Sequence, residues 1–167
     1  MNGVQYKNMS AYFSETKKRS GTMKALHDVL PLVMYIFYPV QLICLGINHG
    51  FLSEAFLRFA LIPLGTLIVV TVVRAIINAQ RPYEKYNYTP VVNKKTKGKS
   101  FPSRHTVSAF IIAMAFLYVQ PTIGVIMLAV ATAIAVVRVL CGVHFIRDVV
   151  SGAAIGVLIG VLGFFVF

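Results

Sequence analysis

Apolar positions fall in long uninterrupted runs separated by short polar punctuation. The first run goes from Leu30 to Ile47 without a charged residue, just long enough to span a bilayer. The turn Asn48-His49-Gly50 follows, and Glu54 opens a second run reaching to about Ala79. A polar, Lys-rich stretch covers 80–102. Two further apolar helices are predicted over Ser103–Val119 and Thr122–Leu140, joined by Gln120-Pro121. The last begins near Phe145 and runs to Phe167; its Gly152, Gly156, Gly160 and Gly163 permit close helix packing. The pattern predicts an all-α integral membrane bundle of about five transmembrane helices over 30–167. In the basic segment 1–29, Met9, Tyr12 and Phe13 share one helical face. An N-terminal interfacial helix fits this spacing, with an unstructured basic tail as the alternative.

Composition agrees: 57% of residues are hydrophobic, 13% are charged and the mean hydropathy is +0.76. Soluble domains carry about twice that share of charge. The charge that exists is lopsided, a net +11. In a soluble chain this excess would point to nucleic acid. In a membrane chain it points to anionic headgroups, a phosphate substrate and topology, so membrane lipids are the expected partners and nucleic acid is not. Cys44 and Cys141 both lie in apolar runs and read as small core residues. The opening residues are too polar for a cleaved signal, and the localisation expected is a cell membrane, multi-pass.

Three polar clusters stand where predicted helices end, all on one membrane face. Arg74 and Arg81 are seven residues apart, two helical turns, so both project from one face before Pro82 ends the helix. Two guanidinium groups aimed at one point suit a phosphate. In Phe101-Pro102-Ser103-Arg104-His105, Ser103 is placed to cap a helix whose first N–H groups attract an anion, and His105 stands in the first turn, able to give up a proton. In the third cluster, Arg138 precedes a helix break at Gly142, and His144 is followed four residues later by Asp148. That spacing lets the carboxylate fix one imidazole nitrogen and leave the other as a nucleophile.

Each cluster has a plainer explanation. Arg74 and Arg81 could be positive-inside anchors, and His144 with Asp148 a structural pair. A metal site of His105, His144 and Asp148 is disfavoured by the surrounding cations. Lys94, Lys95, Lys97 and Lys99 read as a solvated loop, Arg58 as snorkelling to the interface, and His27 and His49 carry no assigned role. All the plain explanations must hold together, however, and Arg-x5-His-x3-Asp alone is expected only about 0.002 times from this composition.

The order Arg74…Arg81-Pro82, Pro102-Ser103-Arg104-His105, Arg138…His144…Asp148 resembles the three signature motifs of the type 2 phosphatidic acid phosphatase superfamily, over roughly residues 55–165. The resemblance implies a phosphohistidine formed on His144, oriented by Asp148, with His105 protonating the leaving oxygen. It implies that Arg74, Arg81, Ser103 and Arg138 hold the phosphoryl oxygens without metal or cofactor. Arg74 stands where the family usually has Lys, and Arg104 where it has Gly, so Arg104 either crowds the site or adds a phosphate ligand. The family commonly has one more span before the first motif. The implied activity is hydrolysis of a lipid phosphate such as phosphatidic acid, phosphatidylglycerol phosphate or a polyprenyl mono- or diphosphate. A lipid phosphotransferase and a non-catalytic phosphate-binding transporter are the alternatives. The lysines of the N-terminal segment place the site on the cytoplasmic side; the resemblance implies the outer one.

Overall fold

Seven α-helices and one short π-helical segment build the chain in the computed structural model, which describes residues 1–167. Helix α1 (Gly3–Ser14) starts in a capping box. The Asn2 side chain accepts from the Gln5 N–H at 3.0 Å, and Gln5 accepts from the Asn2 N–H at 2.8 Å. Its docking face is not the one expected from Met9, Tyr12 and Phe13. Tyr6 and Ser10 are buried with Met9 and Phe13 half-buried beside them, while Tyr12 points outward. Tyr6 and Ser10 recur with that pair at helical spacing, and Tyr6 meets the Phe145 ring edge-on at 5.5 Å.

Helix α2 (Lys17–His49) begins well before the apolar run at Leu30. Its polar first turns are amphipathic: Met23, Leu26 and Leu30 pack on Val91, Cys141 and Val143, so tertiary contact carries the helix beyond its apolar part. Pro31 and Pro39 lie within it. Helix α3 (Glu54–Ile77) is capped by Ser53 and stopped by Asn78, which takes the left-handed conformation at φ 44°. Arg58 does more than reach the interface: it pairs with Glu54 at 2.6 Å and donates to the Gly163 carbonyl at 3.0 Å, tying α3 to the last helix.

A single turn, α4 (Pro82–Lys85), interrupts the polar loop before α5 (Arg104–Val119), α6 (Pro121–Leu140) and α7 (Ile146–Val161), which continues as the π-helical Leu162–Val166. Helices α2, α3, α6 and α7, the last counted with its π-helical continuation to Val166, are long and apolar enough to cross a membrane. Helix α5, of 16 residues, is about 24 Å long and shorter than a bilayer core. It is also the innermost, with Val107, Ile111, Ala113, Ala115 and Phe116 buried among the others. Its approach to α7 is as close as the glycines predict. A Cβ on Gly156 would meet the Phe110 Cβ at 2.7 Å and the Val107 carbonyl at 3.0 Å. The outward surface is a belt of exposed apolar residues such as Leu61, Ile68, Val125, Val150 and Leu158. Cys44 belongs to that belt rather than to the core, because it lies on the outer side of α2; Cys141 is buried as expected.

Since α3 and α6 end where α2, α5 and α7 begin, five helix termini, α1, α4 and the polar loop gather on one face of the bundle.

Candidate active site

The break after α6 sets the central residue. Gly142 takes φ +71°, where a Cβ would also meet the Tyr88 hydroxyl at 2.9 Å, and the turn carries His144 inward until only 3% of it is exposed. His144 stands just before the Phe145 N-cap of α7 and not within the helix, yet the four-residue spacing still brings it onto Asp148. Nδ1 lies 3.4 Å from Asp148 Oδ2, and Nε2 faces the Arg81 guanidinium, with Nη1 at 3.4 Å. A proton held on Nδ1 by the carboxylate leaves the Nε2 lone pair on the side of the arginine. Burial presses the His144 imidazole down to about 4, with Arg81 and Arg74 pushing the same way against Asp148. The ring is therefore neutral at neutral pH, as a nucleophile must be.

Asp148 is fully buried, and its Oδ2 also accepts from the Phe145 N–H at 3.0 Å and the Ser100 hydroxyl at 2.5 Å. Its Oδ1 has no hydrogen-bond partner. Ser100 belongs to none of the sequence clusters, yet its hydroxyl also lies 3.5 Å from His144 Nδ1.

Both first-cluster arginines are buried and reach the same loop, but not from one helical face: Asn78 ends α3 before Arg81, which is the extended N-cap of α4, and Pro82 opens that turn instead of closing α3. Arg81 donates to the Gly98 carbonyl at 3.1 Å and the Val143 carbonyl at 3.2 Å. Arg74 donates to the carbonyls of Lys99, Ser100 and Pro102, so its fork is directed at backbone oxygens of residues 99–102. Ser103 occupies the N-cap of α5, but its hydroxyl accepts from Thr106 Oγ1 at 2.9 Å instead of capping the helix. No protein group satisfies the N–H groups of Arg104, His105 and Thr106, which stay available to an anion.

The His105 ring is hydrogen-bonded to no protein group, and its charged neighbours include Arg138, Lys94 and Arg104, with His144 close by. Arg104 is exposed and unpaired. Arg138 is 3% exposed and reaches toward this group from the end of α6. Lys94 departs from its run: it is half-buried, while Lys95, Lys97 and Lys99 are exposed. Burial lowers its ammonium below the usual lysine range, and Arg81, Arg138, Arg104 and Arg74 lower it further, which puts it within the field of all four. No sequence signal separates Lys94 or Ser100 from their neighbours, because loop folding alone brings them in. No group of three or more His, Cys, Asp or Glu side chains is arranged to hold a metal ion.

An apolar cavity of about 560 Å³ leads away from His105 and Arg104 between α2, α3 and α5. Tyr35, Tyr38, Leu42, Pro63, Leu64 and Ile112 line it. A cationic centre with open N–H groups thus adjoins an apolar-lined space, a combination that fits an amphiphile with an anionic head.

The family model of the PAP2 superfamily matches residues 55–167. Among curated relatives, the bacitracin transport permease protein BcrC of Bacillus licheniformis is 35% identical over 79 residues, 46% of this chain and 39% of that protein. The lipid A 1-phosphatase of Porphyromonas gingivalis is 33% identical over 86 residues, 49% of this chain and 19% of that protein. The chain thus spans well under half the length of either. Among solved structures, LpxE of Aquifex aeolicus superposes with a TM-score of 0.73 at 23% identity, covering 97% of this chain and 93% of that one. The PAP2-type phosphatidylglycerolphosphate phosphatase of Bacillus subtilis gives 0.64 at 20% identity, covering 98% and 85%. These two share its fold.

Proposed function

The chain belongs to the PAP2 superfamily, a multi-pass membrane protein of the lipid phosphatase fold, and from that membership we propose that it hydrolyses a lipid phosphate through a phosphohistidine on His144. The observation that carries this reading is the buried imidazole held between Asp148 at Nδ1 and Arg81 at Nε2. The Nε2 lone pair attacks phosphorus in line and forms the N–P bond. The bond from phosphorus to the leaving oxygen breaks, and His105 supplies the proton that oxygen needs. His105, now neutral, takes a proton from water, whose oxygen attacks phosphorus. The N–P bond breaks, its electrons return to Nε2, and phosphate leaves. Arg81, Arg104, Arg138 and the open N–H groups of Arg104, His105 and Thr106 hold the phosphoryl oxygens, while Arg74 adds charge and fixes the loop. With that much fixed positive charge the step needs no metal. Phosphatidic acid, phosphatidylglycerol phosphate and polyprenyl phosphates all meet the requirement of an apolar chain for the cavity.

The likeness to BcrC, a bacitracin transport permease protein, favours a second reading, a transporter that binds phosphate without turnover. Purified wild type and His144→Ala, assayed in detergent with chelator present against a panel of lipid phosphates, separate the two. Release by the wild type alone supports the hydrolase, and binding without release supports the transporter. Lys7, Lys17, Lys18 and Lys24 lie at the site's end of the bundle, which supports a cytoplasmic site. Labelling of Lys95→Cys by an impermeant maleimide only after the membrane is opened is the expected result, and labelling of intact cells reverses the assignment.

A further inference from the structure

Arg138 enters the site without an acidic partner. Its hydrogen bonds run only to His27: Nη1 to the ring Nε2, and Nη2 to the backbone carbonyl at 3.5 Å. His27 stands on α2, 111 positions away and outside the residues matched to the family. Its other ring nitrogen, Nδ1, lies 2.8 Å from Asp28 Oδ1. A carboxylate at that distance requires the proton on Nδ1, so Nε2 carries the lone pair that accepts from the guanidinium. The two aspartates of the chain are thus each set on the Nδ1 of a histidine, Asp148 on His144 and Asp28 on His27.

We infer that Asp28 and His27 form a positioning pair for the phosphate site, fixing the Arg138 guanidinium through two contacts from one residue and making α2 part of the site. The choice of partner matters physically. A carboxylate would hold Arg138 as firmly but cancel its charge, whereas a neutral imidazole and a carbonyl orient it and leave the full charge for the phosphoryl oxygens. A side chain already oriented loses less freedom when the anion arrives. Asp28 is largely exposed and acts on the tautomer of His27, not on the anion. The inference rests on the phosphate-site reading above and adds to it a residue that no motif contains.

Calorimetric binding of inorganic phosphate to the detergent-solubilised chain tests it without requiring turnover. His27→Ala, and the space-filling His27→Leu should alanine fail to fold, are expected to weaken phosphate about tenfold, the scale of one hydrogen bond to a charged group. Arg138→Ala weakens it at least as much, and the double variant binds no worse than Arg138→Ala alone, because His27 acts only through Arg138. His27→Gln, whose amide oxygen accepts, recovers most of the loss. Losses that add in the double variant, or unchanged affinity in both His27→Ala and His27→Leu, overturn the inference. A wild type that shows this cycle yet hydrolyses no lipid phosphate removes the hydrolase reading and leaves the positioning pair standing.

Discussion

Replacing Asp148 by asparagine removes one charge from the centre and almost nothing else. In the folded chain, Oδ2 takes all three short or moderate contacts: Ser100 at 2.5 Å, the Phe145 N–H at 3.0 Å and His144 Nδ1 at 3.4 Å. Oδ1 has no hydrogen-bond partner, and Arg147 Nε lies 3.6 Å from it. The asparagine oxygen can take the place of Oδ2 and its amide the place of Oδ1, so the shape of the site survives. Leaving that amide unpaired costs about 1–3 kcal/mol of stability. The larger effect is on the reaction. As Nε2 bonds to phosphorus, the imidazole becomes cationic 3.4 Å from the carboxylate. Two unit charges at that distance attract by roughly 5 kcal/mol at an effective dielectric of about 20. Charge is only partly developed at the transition state, so about 4 kcal/mol is at stake, near a thousandfold in kcat. Phosphate release from a lipid phosphate in mixed micelles measures it, with a thermal melt on the same preparation. A kcat within tenfold of wild type in a folded variant would refute the assignment of Asp148 as the partner of the nucleophile.

The pH profile gives a second test. A base must be unprotonated to act, and His144 is held down to about 4, so the acid limb it imposes on kcat/KM lies near pH 4 and not near 6.5. The same shift lets the unfolded chain bind this proton first, so the stability contributed by His144 is complete above about 6.5 and lost as pH falls toward 4; melts between pH 4 and 7 follow it. Gly156→Ala drives a Cβ against Phe110 and the Val107 carbonyl and lowers stability by about 1–3 kcal/mol, read as a drop in Tm with the Michaelis parameters little changed if the protein is assayed below its melt. Arg74→Lys restores the residue usual in the family but cannot keep three donors on the carbonyls of Lys99, Ser100 and Pro102. It lowers kcat/KM about tenfold by loosening the loop, and a variant as active as wild type rejects the clamp.

What the sequence makes legible here is whatever repeats at a fixed spacing. Apolar runs mark the helices, and the four-residue step from His144 to Asp148 marks a pair that meets. Gly152, Gly156 and Gly160 announce the close approach of α7 to α5 in the same way. The seven-residue step from Arg74 to Arg81 marks no shared helical face, because α3 stops at Ile77 and the two arginines converge through the loop instead. Contacts between distant segments leave no such trace. His27 meets Arg138 only because α2 begins at Lys17, and α2 begins there because Met23 and Leu26 pack on a loop whose path no local pattern sets. Ser100 and Lys94 are inconspicuous members of a polar stretch until that loop folds back. Tyr6 is chosen over Tyr12 as the buried face of α1 by the position of Phe145. Ser103 has the residue type and place of a cap, yet Thr106 takes its hydroxyl and leaves the helix end open.

The claim on which the rest depends is a covalent bond between His144 and phosphorus. Rapid quenching of wild type with a lipid phosphate into alkali, followed by peptide mass spectrometry, tests it most directly. An acid-labile, alkali-stable phosphoryl group on the peptide containing His144, absent in His144→Ala, is the predicted result. Phosphate release by His144→Ala at the wild-type rate, or a phosphoryl group on another residue, would contradict it.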